Sequence, residues 1–259
     1  MKFPKALSAG KCSEKCSLAG SSAAASIETA PPDRGCSGVP PGEAPTEQGK
    51  RVCEVPISTI TGAPLPTRKL EVALRRLRAS MQDCTRCDAL VRCRSRVVPG
   101  DGSVPADVVF VGIAPGRLGG DRTGIPFSGD RSGQLLRRMI ERSGLKRVFI
   151  TNLVRCNPRD AAGRNRDPTA DEIAQCRGHL RAEFSIARPR IVACLGVMAW
   201  KELAGRAAPF TPMGGRPAEI DGLVLFPMYH PAFVNRGAYP IRSYARDFAR
   251  LSRLSAGIR

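Results

Sequence analysis

Apolar and polar positions along this chain fall into two regimes. From residue 69 onward, short apolar runs alternate with stretches of helical periodicity. Leu70, Val72, Ala73, Leu74 and Leu77 recur at helical spacing among arginines, which predicts a first helix. Four nearly continuous, β-rich runs follow: Val108–Ala114, Val148–Val154, Ile191–Leu195 and Leu223–Met228. Such runs predict strands buried on both faces. Helical stretches lie between and after them, near Gly133–Arg142, Ala170–Ile186, Val197–Leu203 and Ser243–Leu254. The alternation predicts a three-layer α/β/α fold around a mostly parallel, four-stranded central sheet. Sheets of this kind bind ligands beyond the carboxyl ends of their strands. The unusual residues of the chain gather at those ends.

Residues 1–68 carry no lasting periodicity. They are rich in Pro, Gly, Ser and Ala, as in Ser21–Ala25 and Gly38–Gly42. This composition predicts a disordered tail ahead of one folded domain at 69–259. Hydrophobic residues make up 42% of the 259, enough for a packed core, and aromatics only 5%, so that core is mainly aliphatic. No apolar run reaches membrane-spanning length, so no membrane partner is expected. The start, Met1–Lys5, is followed by no long apolar stretch, so no secretory signal is expected and the expected location is cytoplasmic.

Charge narrows the picture most. Lys and Arg number 41 against 23 Asp and Glu, a formal net charge of +18. Only eight basic and six acidic residues fall in 1–68, so the folded part carries most of the surplus. A surplus of that size implies a polyanionic partner and argues against an ordinary metabolic enzyme.

In a reducing compartment, the ten cysteines point to metal ligation or redox chemistry before disulfides. Cys12, Cys16, Cys36 and Cys53 lie in the tail and are read as incidental thiols. Cys84-Thr85-Arg86-Cys87 follows the first helix, Cys156 lies just beyond a strand, and Cys176 lies within the next helix. A Cys-x-x-Cys pair and two separated cysteines can converge on one site, holding zinc or an iron–sulfur cluster. Spacing does not choose between them, and ordinary buried thiols fit Cys156 and Cys176 equally well. Cys93 is the main rival ligand; Cys194 lies in a strand and reads as core.

The run Gly112–Asp130 after the first long strand carries the most information. Its glycines let a backbone approach a ligand closely, and turn N–H groups can hold an oxyanion. No Gly-Lys-Ser/Thr follows, so it is not a nucleotide-phosphate loop of the Walker type. Asp121 is a carboxylate within this glycine-rich crevice, whereas Asp130 precedes a helix and is read as its N-cap. Asn152 and His230 end later strands at the same edge. An amide both donates and accepts, so Asn152 suits the reading of a base edge. His179 is mid-helix in a polar stretch and is read as structural.

Taken together, these pieces resemble the iron–sulfur uracil-DNA glycosylases, families 4 and 5 of the uracil-DNA glycosylase superfamily. The resemblance spans about Leu70–Arg253. It rests on Cys84, Cys87, Cys156 and Cys176, on Gly112–Phe127 with its Arg-Thr-Gly-x-Pro-Phe ending, and on His230-Pro231. Ile113 stands where family 4 usually has Glu, and Ala232 where Ser usually follows His-Pro. Asp121 and Phe127–Gly133 look more like family 5; Asn152–Cys156, Asn165–Thr169 and His230–Arg236 look more like family 4. The basic insertion of a related covalent uracil-binding group is missing, so trapping of DNA is not expected.

The resemblance implies a monomeric DNA-repair enzyme, associated with the nucleoid through DNA, that hydrolyses the N-glycosidic bond of uracil by base flipping, with other deaminated bases as further candidate substrates. It implies a 4Fe-4S cluster on the four cysteines, with zinc as the alternative occupant. Cleavage leaves positive charge on the sugar and negative charge on the base. Asp121 is accordingly assigned to water beneath the sugar, and His230 with loop N–H groups to the uracil anion. Gly112, Ile113, Ala114, Phe127 and Asn152 are assigned to the base, Phe127 by stacking. Arg122 and Arg236 are assigned to DNA, and the segment Phe233–Arg236 is either a wedge or a plain surface loop. The rival reading is a metal-stabilised nucleic-acid-binding module without chemistry. It accounts for charge and cysteines but not for an aspartate, an asparagine and a histidine at one crevice.

Overall fold

The computed structural model describes residues 66–258 except 207, 213–215 and 221. Residues 1–65 of the expected tail, with its four cysteines, lie outside the described residues, and the first helix begins two residues ahead of the expected boundary. Helix α1 (Thr67–Met81) buries Leu70, Leu74 and Met81, one stripe at helical spacing, while Arg68, Arg75 and Arg76 are exposed. Short α2 (Asp88–Cys93) follows the Cys-x-x-Cys segment. The strands are β1 (Asp101–Gly102), β2 (Val108–Gly112), β3 (Val148–Asn152), β4 (Ile191–Leu195), β5 (Ala218–Ile220) and β6 (Leu223–Met228). The remaining helices are α3 (Gly120–Thr123), α4 (Arg131–Ser143), α5 (Ala170–Ala187), α6 (Val197–Ala204), α7 (Pro231–Asn235) and α8 (Ile241–Gly257). No helix among the described residues is long and apolar enough to cross a membrane.

The sheet has six strands in the order β1-β3-β2-β4-β6-β5. Its four inner strands are parallel, as the apolar runs predict; β1 and β5 pair antiparallel at the edges. The expected count of four therefore rises to six. The two additions are only two and three residues long, too short to leave a periodic signal.

Every residue of β2 and β4 is buried, and alternation along them sorts side chains between two cores. Val109, Val111, Val192 and Cys194 pack with Leu70, Leu180, Phe184 and Trp200 from α1, α5 and α6. Val108, Phe110, Ile191 and Ala193 pack with Leu136, Met139, Tyr244 and Phe248 from α4 and α8. Helices thus cover both faces, giving three layers. Because β3 and β4 flank β2 on opposite sides, the chain switches direction beside β2. A crevice opens at such a point, beyond the carboxyl ends of the strands.

One buried ion pair fixes the end of β3. Arg155 and Glu183 are each 1% exposed, with Nη2 and Oε2 2.5 Å apart. Arg155 Nη1 also donates to the carbonyls of Asn152 and Leu153. Glu183 accepts from Gly100 N and Thr151 Oγ1. Removing one partner strands a buried charge, so Glu183→Leu should cost about 3–5 kcal/mol in urea unfolding. The double variant Arg155→Met/Glu183→Leu should recover part of that loss, because no unpaired charge remains.

Candidate active site

A cavity of about 300 Å³ lies beyond the carboxyl ends of the inner strands. Its lining comes from four segments distant in sequence. The loop after β2 supplies Ile113, Ala114, Gly116 and Phe127; β3 supplies Asn152; the segment before α5 supplies Asn157, Asn165 and Asp167; and the turn after β6 supplies His230 and Arg236. A broader hollow along one face of α1, at Arg68, Lys69 and Arg76, gathers no comparable chemistry.

Asn152 is 2% exposed, and neither its Oδ1 nor its Nδ2 finds a hydrogen-bond partner. An unpaired buried amide costs about 1–3 kcal/mol, so this one is poised for something that enters. Gly112 lies directly behind it. A Cβ there would stand 2.5 Å from Asn152 Oδ1 and 2.6 Å from the Phe127 ring. Only glycine leaves both groups in position.

Phe127 closes another wall, with its ring centroid 5.6 Å from that of His230. Its φ of 49° lies in the left-handed region, which a bulky side chain adopts only under constraint. Arg137 of α4 supplies that constraint, donating from Nε to the Phe127 carbonyl and from Nη2 to the Pro126 carbonyl.

His230 caps α7: its Nδ1 accepts from Ala232 N at 3.1 Å. In the neutral ring the proton then sits on Nε2, which is left as a donor. Burial, helped by the Arg236 charge, pushes its pKa down to about 4. The histidine at this cavity is therefore a neutral hydrogen-bond donor near pH 7.

Of the two loop aspartates, only Asp130 borders the cavity. Asp121 is fully buried and absent from the cavity lining. Its Oδ1 accepts from Ser95 N, and its Oδ2 pairs with Arg159 Nη2 at 2.5 Å. Both oxygens are engaged away from the cavity, so the geometry does not support the water-positioning role expected of Asp121. Asp130 caps α4 as expected, Oδ1 accepting from Gly133 N at 2.8 Å, but it also lines the cavity.

Four cysteines gather near the segment that follows β3. Burial pushes the Cys87 thiol up to about 11, reinforced by the charges of Cys176, Cys156 and Cys84. Arg94 Nη1 lies 3.2 Å from Cys156 Sγ, Arg155 N lies 3.4 Å from Cys176 Sγ, and His179 Nε2 lies 3.4 Å from Cys84 Sγ. His179, expected to be merely structural, thus borders the group. Cys93 turns instead to the carbonyls of Leu90 and Asn157. Cys194 is fully buried in β4. Among the described residues, no three Cys, His, Asp or Glu side chains close on a point as one metal ion would require.

Residues 99–249 match the family model of the Uracil DNA glycosylase superfamily. The chain belongs to that superfamily. It is 35% identical over 160 residues to the Type-4 uracil-DNA glycosylase of Thermotoga maritima, covering 60% of this chain and 80% of the relative. The Type-4 enzyme of Archaeoglobus fulgidus is 33% identical over 184 residues, covering 67% and 89%. The Type-5 enzyme of Pyrobaculum aerophilum is 33% identical over 204 residues, covering 65% and 87%. Relatives of both types match at similar identity.

Within this superfamily member, the cavity gathers Ile113, Ala114, Phe127, Asn152, His230 and Arg236 as expected, with Gly112 behind them. Arg122 is exposed on α3, outside the lining. Phe233 is no free wedge: its ring stacks on Tyr229, centroids 4.9 Å apart. The wall Asn157–Asp167 had only the Asn165–Thr169 run as a signal. Asn157 there ties Pro115 O to Asn165 Oδ1 through its Nδ2. Arg137 left no signal at all.

His230 yields a pH prediction. Its folded pKa lies below the ordinary imidazole value of 6.5, so the unfolded chain binds the proton more tightly. Its contribution to stability is complete above about pH 6.5 and is lost as pH falls toward 4. Proton NMR of the ring should show no titration between pH 5.5 and 8 (about one and a half units or more above the folded value). A ring that titrates near 6.5 would remove the neutral-donor assignment.

Proposed function

We propose that this chain hydrolyses the N-glycosidic bond of uracil in DNA, taking the flipped nucleotide into the cavity at Asn152. The observation that carries the reading is the buried, unpartnered Asn152 amide facing the same space as Phe127 and His230. Uracil presents an N3–H donor beside an O4 acceptor, which one amide satisfies through Oδ1 and Nδ2. Cytosine presents the reverse pair and would leave the amide unsatisfied, a mismatch that buried sites reject strongly. The Type-4 and Type-5 names of the relatives support the same substrate.

The chemistry follows from charge. As the bond breaks, the base gains negative charge and the sugar becomes cationic. His230 Nε2–H donates to the base oxygen that gains charge, and because the ring is neutral it can do so without surrendering its proton. Phe127 stacks on the base. Asp130 orients water toward the sugar and supports its positive charge, the role first expected of Asp121. The formal charge of +18 draws in phosphates, with Arg236 at the rim and Arg122 nearby, so affinity falls steeply with salt. Ile113 is an apolar wall, and such walls discriminate by only about 1–3 kcal/mol per added group. Uracil is therefore the main substrate, with weaker excision of other deaminated bases such as hypoxanthine.

Cys84, Cys87, Cys156 and Cys176 would hold a 4Fe-4S cluster. The four thiols lie near enough for their charges to act on one another, and the family resemblance favours a cluster, whose cysteines bind separate irons, over a single zinc ion. When bound, the cluster would cross-link the segment after α1, the end of β3 and α5.

A uracil-containing oligonucleotide, incubated with the protein and then treated with alkali, should break at the uracil. Binding without breaks would favour the non-catalytic module. Asp130→Asn should slow excision on the order of 10²-fold, whereas Asp121→Asn should lower stability more than turnover. The reverse pattern would return the catalytic role to Asp121. Protein purified without oxygen should be brown. Cys84→Ala or Cys156→Ala should lose that colour, while Cys93→Ala and Cys194→Ala keep it. Colourless protein with stoichiometric zinc would overturn the cluster assignment.

A further inference from the structure

Base flipping leaves a gap in the stack, and something must occupy it if the base is to stay out. Among the large apolar side chains described, Leu118 is the most exposed, at 57%. It sits at the tip of a tight turn. Gly119 N donates to Gly116 O at 3.0 Å, so Arg117 and Leu118 are its two central residues, both exposed. Gly116 and Gly120, either side of the tip, line the cavity, so the turn is part of its lip.

The tip is held rigidly. Arg117 N donates to Asn165 Oδ1, 3.1 Å away on the opposite wall. A Cβ on Gly119 would collide with the Asp130 carboxylate, so the turn packs straight onto Asp130. Asp121 N donates to Gly116 O from the other end, and its buried carboxylate pins the short helix that follows. A leucine fixed in water on a rigid turn, flanked by exposed Arg117 and Arg122, gains nothing within the free protein. Phe233, the aromatic residue beyond His230, is already stacked on Tyr229 and unavailable.

We propose that Leu118 is the wedge that enters duplex DNA where the flipped nucleotide leaves, with Arg117 on the adjoining phosphate. Apolar side chains inserted between base steps are an established means of holding a duplex unstacked, and rigidity spares the cost of ordering the wedge. The inference rests on the reading that the cavity receives a flipped uracil.

The test compares Leu118→Ala, Leu118→Phe and the unmodified full chain on one uracil-containing oligonucleotide. It is presented as a single strand and as a duplex with guanine opposite, under single-turnover conditions. Leu118→Ala should cut the duplex about tenfold more slowly, a loss of about 1.4 kcal/mol, while cutting the single strand at the normal rate. Leu118→Phe should retain duplex activity. A 2-aminopurine beside the uracil should brighten on binding the unmodified protein and less on binding Leu118→Ala. Equal losses on both substrates, or no loss on the duplex, would overturn the wedge while leaving the glycosylase reading intact. Failure of the unmodified protein on both substrates would remove the glycosylase reading itself, and the wedge with it.

Discussion

The contact between Arg155 and Glu183 is the constraint on which the site depends. Both groups are almost fully buried, and each makes further hydrogen bonds besides the ion pair. A buried pair of this kind is weak evidence for extra stability, because desolvation offsets most of the Coulombic attraction. Its value here is geometric. Arg155 holds the carbonyls that follow β3, and its own N–H reaches Cys176. Glu183 ties the same point to α5 and to the backbone at Gly100. The Asn152 backbone and the cysteine group are thereby tied to one residue.

From that brace outward, the cavity is built from groups held in costly states. Asn152 is buried with its amide unsatisfied, Phe127 occupies a left-handed backbone conformation, and His230 stays neutral well below the usual imidazole range. Each state lowers the stability of the free protein. Structural strain of this sort gathers at sites of chemistry because the surroundings over-determine it. Arg137 holds the backbone at Phe127, and Gly112 leaves room for both Asn152 and Phe127.

The two loop aspartates illustrate how placement overrides composition. Nine residues apart in one loop, they have the same side chain and opposite surroundings. Asp121 is turned inward by α3 onto Arg159 and Ser95, and its charge is consumed in holding the loop. Asp130 caps α4 with one oxygen and borders the cavity. Helix capping and a place in the site prove compatible, because the first turn of α4 begins at the cavity floor.

Sequence by itself determined the layers, the four parallel strands, the surplus of positive charge and the segments that meet at the crevice. Those features rest on periodicity, composition and short motifs, all local properties of the chain. It also separated Cys84, Cys87, Cys156 and Cys176 from Cys194, through spacing and the family resemblance. What it could not determine was decided by contacts between residues far apart. Asp121 finds Arg159 38 residues on, Arg155 finds Glu183 28 residues on, and Phe127 is held by an arginine on the next helix. The edge strands β1 and β5 form only because longer neighbours offer them unpaired backbone. Side-chain direction is set by packing, and packing exists only once the chain has folded.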